Sequence, residues 1–254
     1  MSGGESRAAF VLAGTKGIGR GCAEALARAG FRVAVCARSR DDVDATVDAL
    51  EELGVEATGT VADVSDPVQL EAAFATVDEA FGRLDVLVAN AGGPPPGTFD
   101  ALDDDAWQAG YELTFMSAVR SIRLAVRRMR QRGYGRILVI GSSSARRPIP
   151  GLTLSNAYRP ALAGLTKSLA VELAPDGITV NMVSPGRIDT DRVHTLDARA
   201  AERQGTTYEE VRAASQSAVP IGRYGSVDEI GALVAFLASE AAGYVTGQTP
   251  LVDG

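Results

Sequence analysis

The segment Ala13-Gly14-Thr15-Lys16-Gly17-Ile18-Gly19 places three glycines between an apolar run and a helical pattern. Glycines in such a place turn the chain tightly and let its backbone approach a pyrophosphate, which the positive end of the helix attracts. A tight strand-to-helix turn without a ligand is the structural alternative. The next apolar run ends Val35-Cys36-Ala37-Arg38. An acid there would hold a ribose 2′-OH and repel a 2′-phosphate. Ala37 stands instead, and Arg38 offers a planar donor fork suited to phosphate. Further along stand Ser142, Ser155, Tyr158 and Arg159, side chains able to donate hydrogen bonds. An arginine stays charged at any working pH, so Arg159 cannot shuttle protons, but it can stabilise an oxyanion. Ser155 can donate a hydrogen bond, although an aliphatic hydroxyl is a far weaker acid than a phenol. His194 is the only histidine; it is read as a solvated side chain, with proton donation as the alternative.

Short Val/Ile/Leu-rich runs must position these groups: Ala8–Ala13, Arg32–Ala37, Glu56–Val61, Asp85–Ala89, Arg136–Gly141, Ile178–Val183 and Thr249–Val252. Segments with a period near 3.6 alternate with them, at Gly19–Ala29, Asp42–Leu53, Pro67–Phe81, Trp107–Arg130, Ala161–Leu173 and Val227–Ser239. Continuously apolar strands are buried on both faces, and strand–helix alternation requires crossover connections. The expectation is one α/β domain over residues 1–254: a Rossmann-like, doubly wound, seven-stranded parallel sheet with helices on both faces. The polar, weakly helical stretch Asp191–Pro220 reads as an irregular lid over the substrate.

Composition narrows the function classes. The 254 residues carry 25 basic and 32 acidic side chains, a net charge of −7, which leaves no footprint for nucleic acid or anionic lipid. The apolar stretch Ala8–Ala13 is too short for a membrane span, and Met1–Arg7 has no cationic run. Cys22 and Cys36 read as buried small hydrophobes rather than as a disulfide or metal pair. A cytoplasmic location is expected. Six arginines between Arg120 and Arg132 read as complements to a helix dipole. Arg146, Arg147, Arg187 and Arg192 flank the expected substrate side, where attraction of a carboxylate or phosphopantetheine and plain solvation are equally open readings.

The glycine loop resembles that of the short-chain dehydrogenase/reductase family, Thr-Gly-x-x-x-Gly-x-Gly, with Ala13 at the first glycine and Leu12 at the threonine. The resemblance extends along the chain. Asp63-Val64 matches an adenine-contacting pair, and Asn90-Ala91-Gly92 matches the Asn-Ala-Gly after the fourth strand. Pro185-Gly186-Arg187-Ile188-Asp189-Thr190 matches a segment flanking nicotinamide, and Val252-Asp253-Gly254 a C-terminal signature. The resemblance implies a nicotinamide cofactor, a small-molecule carbonyl substrate (free or bound to a carrier protein) and a homodimer or homotetramer. Lys16 stands where NADP(H)-using members often carry a cation, and with Arg38 it points to NADP(H).

The family's catalytic Tyr, Lys and Asn fall on Ser155, Arg159 and Thr114, while Ser142 is retained. This Ser-Asn-x-x-Arg form resembles a divergent branch similar to 3-oxoacyl-acyl-carrier-protein reductases, which implies an NADP(H)-dependent ketoreductase with an altered tetrad. The alternatives are a non-redox dehydratase, isomerase or cyclase, or a catalytically silent NADP(H)-binding protein. Pro160 predicts that the helix starts near it, leaving Ser155–Arg159 irregular and Tyr158 free to point inward as an alternative acid. Water is the remaining proton source.

Overall fold

The computed structural model describes residues 6–254. Of the N-terminal stretch read for a leader, residues 1–5 lie outside the described residues. Strands β1 (Ala8–Val11), β2 (Arg32–Ala37), β3 (Ala57–Val61), β4 (Val86–Ala89), β5 (Gly135–Ile140), β6 (Ile178–Pro185) and β7 (Leu251–Val252) form one sheet in the order β3-β2-β1-β4-β5-β6-β7. Every pairing is parallel. The order reverses between β1 and β4, where the loops after both strands splay apart and leave a crevice.

Period-two alternation divides β1 between two cores. Ala8 and Phe10 face α3 (Pro67–Phe81) and α5 (Ser117–Arg130), with Phe10 edge-on to Phe74 at 5.0 Å between centroids. Ala9 and Val11 face α1 (Gly17–Arg28) and α9 (Val227–Ala238), packing with Leu26, Ile230 and Val234. Helix α2 (Arg40–Glu52) buries Val43 and Leu50. Cys22 and Cys36 are fully buried and unpaired, as expected, and burial pushes both thiols up to about 12. Among the described residues no helix is long and apolar enough to cross a membrane.

Three expectations need correction. The stretch from Trp107 is not one α-helix: α4 (Asp104–Tyr111) passes through a π turn, Glu112–Met116, into α5. The π turn carries Thr114, the position where a side chain must face the crevice rather than the core. Helix α6 runs unbroken over Thr153–Leu173 with Pro160 inside it. Leu154, Ser155, Arg159, Leu162 and Thr166 form its buried stripe while Pro160 is exposed, so packing of that stripe outweighs the one helix bond the proline removes.

The third concerns Asp191–Pro220, which is not irregular: it folds as α7 (Asp191–Gln204) and α8 (Tyr208–Ser217). Gly205 in the left-handed region ends α7, and a Thr207/Glu210 capping box starts α8, signals that a polar composition obscured. Asp197 roots this pair of helices. It is fully buried and takes Arg187 from the loop after β6 and the Tyr224 hydroxyl at 2.7 Å. Asp197→Ala strands the Arg187 cation and the phenol. It is expected to cost about 2–3 kcal/mol in urea unfolding, at the low end for a broken buried pair because Arg187 is partly solvated.

Candidate active site

The phosphate loop is held open by its own backbone. Gly17 sits at φ +51°, and a Cβ on Gly19 would lie 2.2 Å from the Ala13 carbonyl oxygen, so neither position accepts a side chain without rearrangement. Ala13, at the position of the first glycine in the resembled pattern, adopts φ 46°. Gly14 packs on Val11 and Val35, Thr15 is buried, and Ile18 packs on the second core. Asn90 is a positioning residue: its Nδ2 donates to Leu12 O at 3.1 Å and Ala13 O at 3.2 Å, tying the loop after β4 to the phosphate loop. Helix α1 has no side-chain cap at Lys16, so its first N–H groups face the loop free for an anion.

The remaining cofactor candidates surround this loop. Asp63 spends its carboxylate on Ser65, accepting from the backbone at 2.9 Å and the hydroxyl at 2.6 Å, and Val64 is buried. Ala91 is half-buried and Gly92 is exposed with open space beside it. Pro185 pairs with Val252, the Gly186 N–H donates to Val252 O at 2.9 Å, and Ile188 is buried. Thr190 stands just before α7 without capping it, its hydroxyl donating to Ile188 O at 3.2 Å, and its Cγ2 lies 3.4 Å from the Cβ position of Gly17, bringing the root of that helix to the phosphate loop.

The two cations differ. Arg38 is exposed at the end of β2 and forms no ion pair among the described residues. Lys16 is not free: its ammonium lies 2.7 Å from Asp42 of α2, and that contact holds the Asp42 carboxyl below its ordinary value. An acid therefore competes with any 2′-phosphate for Lys16, from a helix rather than from the strand end. Asp42→Asn is expected to tighten NADPH binding by about threefold, the scale of an exposed ion pair, measurable by fluorescence titration.

The catalytic candidates separate into those that reach the crevice and those that do not. Ser142 follows β5 by two residues in extended backbone (φ −162°, ψ 154°), and its oxygen accepts from Ser144 N at 3.1 Å. Its own proton remains available to donate outward. Arg159 is 7% exposed and donates from Nη1 to Ile140 O at 2.6 Å, two residues before Ser142. Burial first, and Arg192 second, pull its guanidinium down to about 10.

Arg159 Nε and Thr114 Oγ1 are both buried without a partner, and both residues line a cavity of about 10 Å³ with Leu12, Asn90, Ala91 and Ile140. That is room for one water. The uncapped helix and the loop kept free of side chains at Gly17 and Gly19 fit a dinucleotide's phosphates, and the orphaned polar atoms on the floor of the crevice fit a hydroxyl group or that one water.

The other proton-donor candidates are committed elsewhere. Ser155 lies one turn before Arg159 on the same helix face, but its hydroxyl meets Ser144 Oγ at 3.0 Å in a buried pair. Ser144 was not foreseen; nothing distinguishes it from its neighbours in the Ser142-Ser143-Ser144 run until the turn fixes directions. Tyr158 does not point inward as an acid. On the unbroken helix it turns toward α4, donating to Trp107 O at 2.9 Å and packing edge-on to the Trp107 ring, and burial raises its pKa. His194 is not simply solvated, since Nδ1 meets Tyr208 OH at 2.6 Å and Nε2 lies 2.9 Å from Asp189. Of the arginines between Arg120 and Arg132, Arg120, Arg128 and Arg130 have acidic partners in Glu112, Asp78 and Asp176.

Known proteins are similar to this chain along nearly all of its length. The family described as enoyl-(acyl carrier protein) reductase matches residues 12–254. Short-chain reductase protein NovJ of Streptomyces niveus is 38% identical over 246 residues, covering 97% of this chain and 92% of its own. The 3-oxoacyl-acyl-carrier-protein reductase FabG of Escherichia coli is 36% identical over 250 residues, covering 98% and 97%. Among solved structures, a variant of actinorhodin polyketide ketoreductase with NADPH superimposes with a TM-score of 0.95 at 35% identity, over 100% of this chain and 98% of that one. The chain belongs to the short-chain dehydrogenase/reductase family.

Proposed function

We propose that the protein is an NADPH-dependent reductase that turns a ketone, free or carried as a ketoacyl group, into an alcohol without a catalytic tyrosine. The observation that supports this reading is that Arg159 and Thr114 line one cavity beside a loop shaped for a dinucleotide, with Ser142 two residues past Ile140, whose carbonyl takes the Arg159 guanidinium. NADPH, when bound, supplies the hydride. The protein's part is to hold the carbonyl, stabilise the charge that builds on its oxygen and deliver a proton.

Ser142 donates a hydrogen bond to the carbonyl oxygen, and the fixed charge of Arg159 stabilises the alkoxide as it forms. A preorganised cation in a buried site acts strongly because little water screens it. The proton comes from solvent through a water held at the Thr114/Arg159 cavity and reprotonated from bulk, because Ser155, Tyr158 and His194 are engaged with other partners. A serine and a guanidinium do not titrate near neutral pH, so they orient that water instead of surrendering their own protons in a resting ionisation. Helices α7 and α8 form the lid that closes over the ketone.

Single-turnover mixing of the NADPH-loaded protein with a panel of ketones tests the reading. Loss of NADPH absorbance in step with alcohol formation is expected for at least one ketone. Product formation without net NADPH consumption would assign the site to non-redox chemistry, and NADPH binding with no product to a silent binder.

A further inference from the structure

We infer that the substrate of this site is a keto acid whose carboxylate is taken by Arg192, beside Arg159; the inference rests on the ketone-reductase reading above. Arg192 stands in the first turn of α7, and its Nη2 reaches across to donate to Pro94 O in the loop after β4 at 2.8 Å. The guanidinium lies over Gly93, 3.1 Å from where a Cβ would sit, so that glycine leaves room for it. A lid arginine thus spans the mouth of the crevice whose floor holds Arg159.

Among the described residues the two guanidinium groups have no acid of their own. Arg159 donates only to a backbone carbonyl and keeps a buried Nε without a partner. Arg192 likewise donates to a carbonyl, and the group that perturbs it electrostatically is another cation, Arg199. The carboxylates of the same region are committed elsewhere: Asp189 to Arg212 and His194, and Asp197 to Arg187 and Tyr224. Asp191, beside Arg192 in the chain, is exposed and forms no ion pair among the described residues.

Cations brought together repel, and the burial of Arg159 adds to the cost while Arg192 stands exposed at the mouth, so an arrangement of this kind persists where an anion completes it. Arg192 keeps free N–H groups in a planar fork, which matches a carboxylate. A keto acid places its carboxylate on this fork and its ketone oxygen toward Ser142 and Arg159. The phosphates of the cofactor are the other source of an anion, and the test separates the two.

Calorimetric titration of the NADP⁺-saturated protein with acetoacetate and levulinate, each against its methyl ester, reads the preference without turnover. At least one acid is expected to bind about tenfold or more tighter than its ester, as for a charged hydrogen bond. In Arg192→Gln that preference disappears, in Arg192→Lys part of it remains, and NADP⁺ affinity stays at the wild-type value. Equal binding of acid and ester overturns the inference. A parallel loss of NADP⁺ affinity in Arg192→Gln also overturns it, because it assigns Arg192 to the cofactor phosphates. If NADP⁺ does not bind at all, the reductase reading falls, and the acid-versus-ester comparison on the cofactor-free protein still decides the anion site.

Discussion

Arg159→Met is expected to yield a protein that is more stable and nearly inactive. The guanidinium is 7% exposed, has no carboxylate partner, and is held at about 10 by burial and Arg192. Holding the cation there costs about 3 kcal/mol relative to a solvated arginine. A methionine of similar reach removes that cost and fills the space, as replacement of buried charges by apolar side chains often does. Urea unfolding at neutral pH is expected to show a gain approaching that figure. The sign with pH follows from the folded value lying below the unfolded one. Above about 10, wild-type stability rises as the folded protein sheds the proton, and the gap to Arg159→Met closes. Activity moves the other way. Loss of a preorganised oxyanion donor is expected to lower kcat by about two to three orders of magnitude. Arg159→Lys keeps a charge but loses the fork that spans Ile140 O and the cavity, so it is expected to recover only part of the rate. A methionine variant both less stable and fully active would show Arg159 to be a structural strut.

Ser142→Ala is expected to be the second severe lesion. Its oxygen caps the turn after β5 by accepting from Ser144 N, and its proton is left free to donate. The lost cap costs about 1 kcal/mol, which a protein of this size tolerates. Loss of the donor to the carbonyl oxygen is expected to lower kcat about 100-fold with NADPH affinity unchanged, because Ser142 lies at the carbonyl rather than at the phosphate loop. Ser155→Ala serves as the contrast. It breaks the buried Ser144–Ser155 pair and leaves Ser144 Oγ under-satisfied, an effect on stability rather than on the crevice.

The frame was legible because it depends on continuous patterns. Seven Val/Ile/Leu-rich runs alternate with helical periods, and each run became a strand within a few residues of its expected ends. The phosphate loop was legible for a related reason: Gly17 and Gly19 answer to backbone geometry, which sequence spacing reports directly. Side-chain direction was less accessible. Pro160 argued for a broken helix, yet the stripe Leu154–Ser155–Arg159–Leu162 packs well enough to carry the proline through, and this one outcome turns Tyr158 away from the crevice. Lys16 read as a free cation because its partner Asp42 approaches from a separate element. The helices of Asp191–Pro220 were obscured because a mostly polar pair of helices leaves little apolar period to read. Arg192 was visible only as one of four arginines; its reach to Pro94 needs the folded lid.

The central claim is that this site reduces a ketone through Ser142 and Arg159, with no proton from Tyr158. Rapid-mixing kinetics of NADPH consumption, comparing wild type with Tyr158→Phe and Ser142→Ala, tests it most directly. The account predicts that Tyr158→Phe reduces the ketone at close to the wild-type rate, losing only the hydrogen bond to Trp107, while Ser142→Ala is slowed about 100-fold. Loss of reduction in Tyr158→Phe with retention in Ser142→Ala would contradict it.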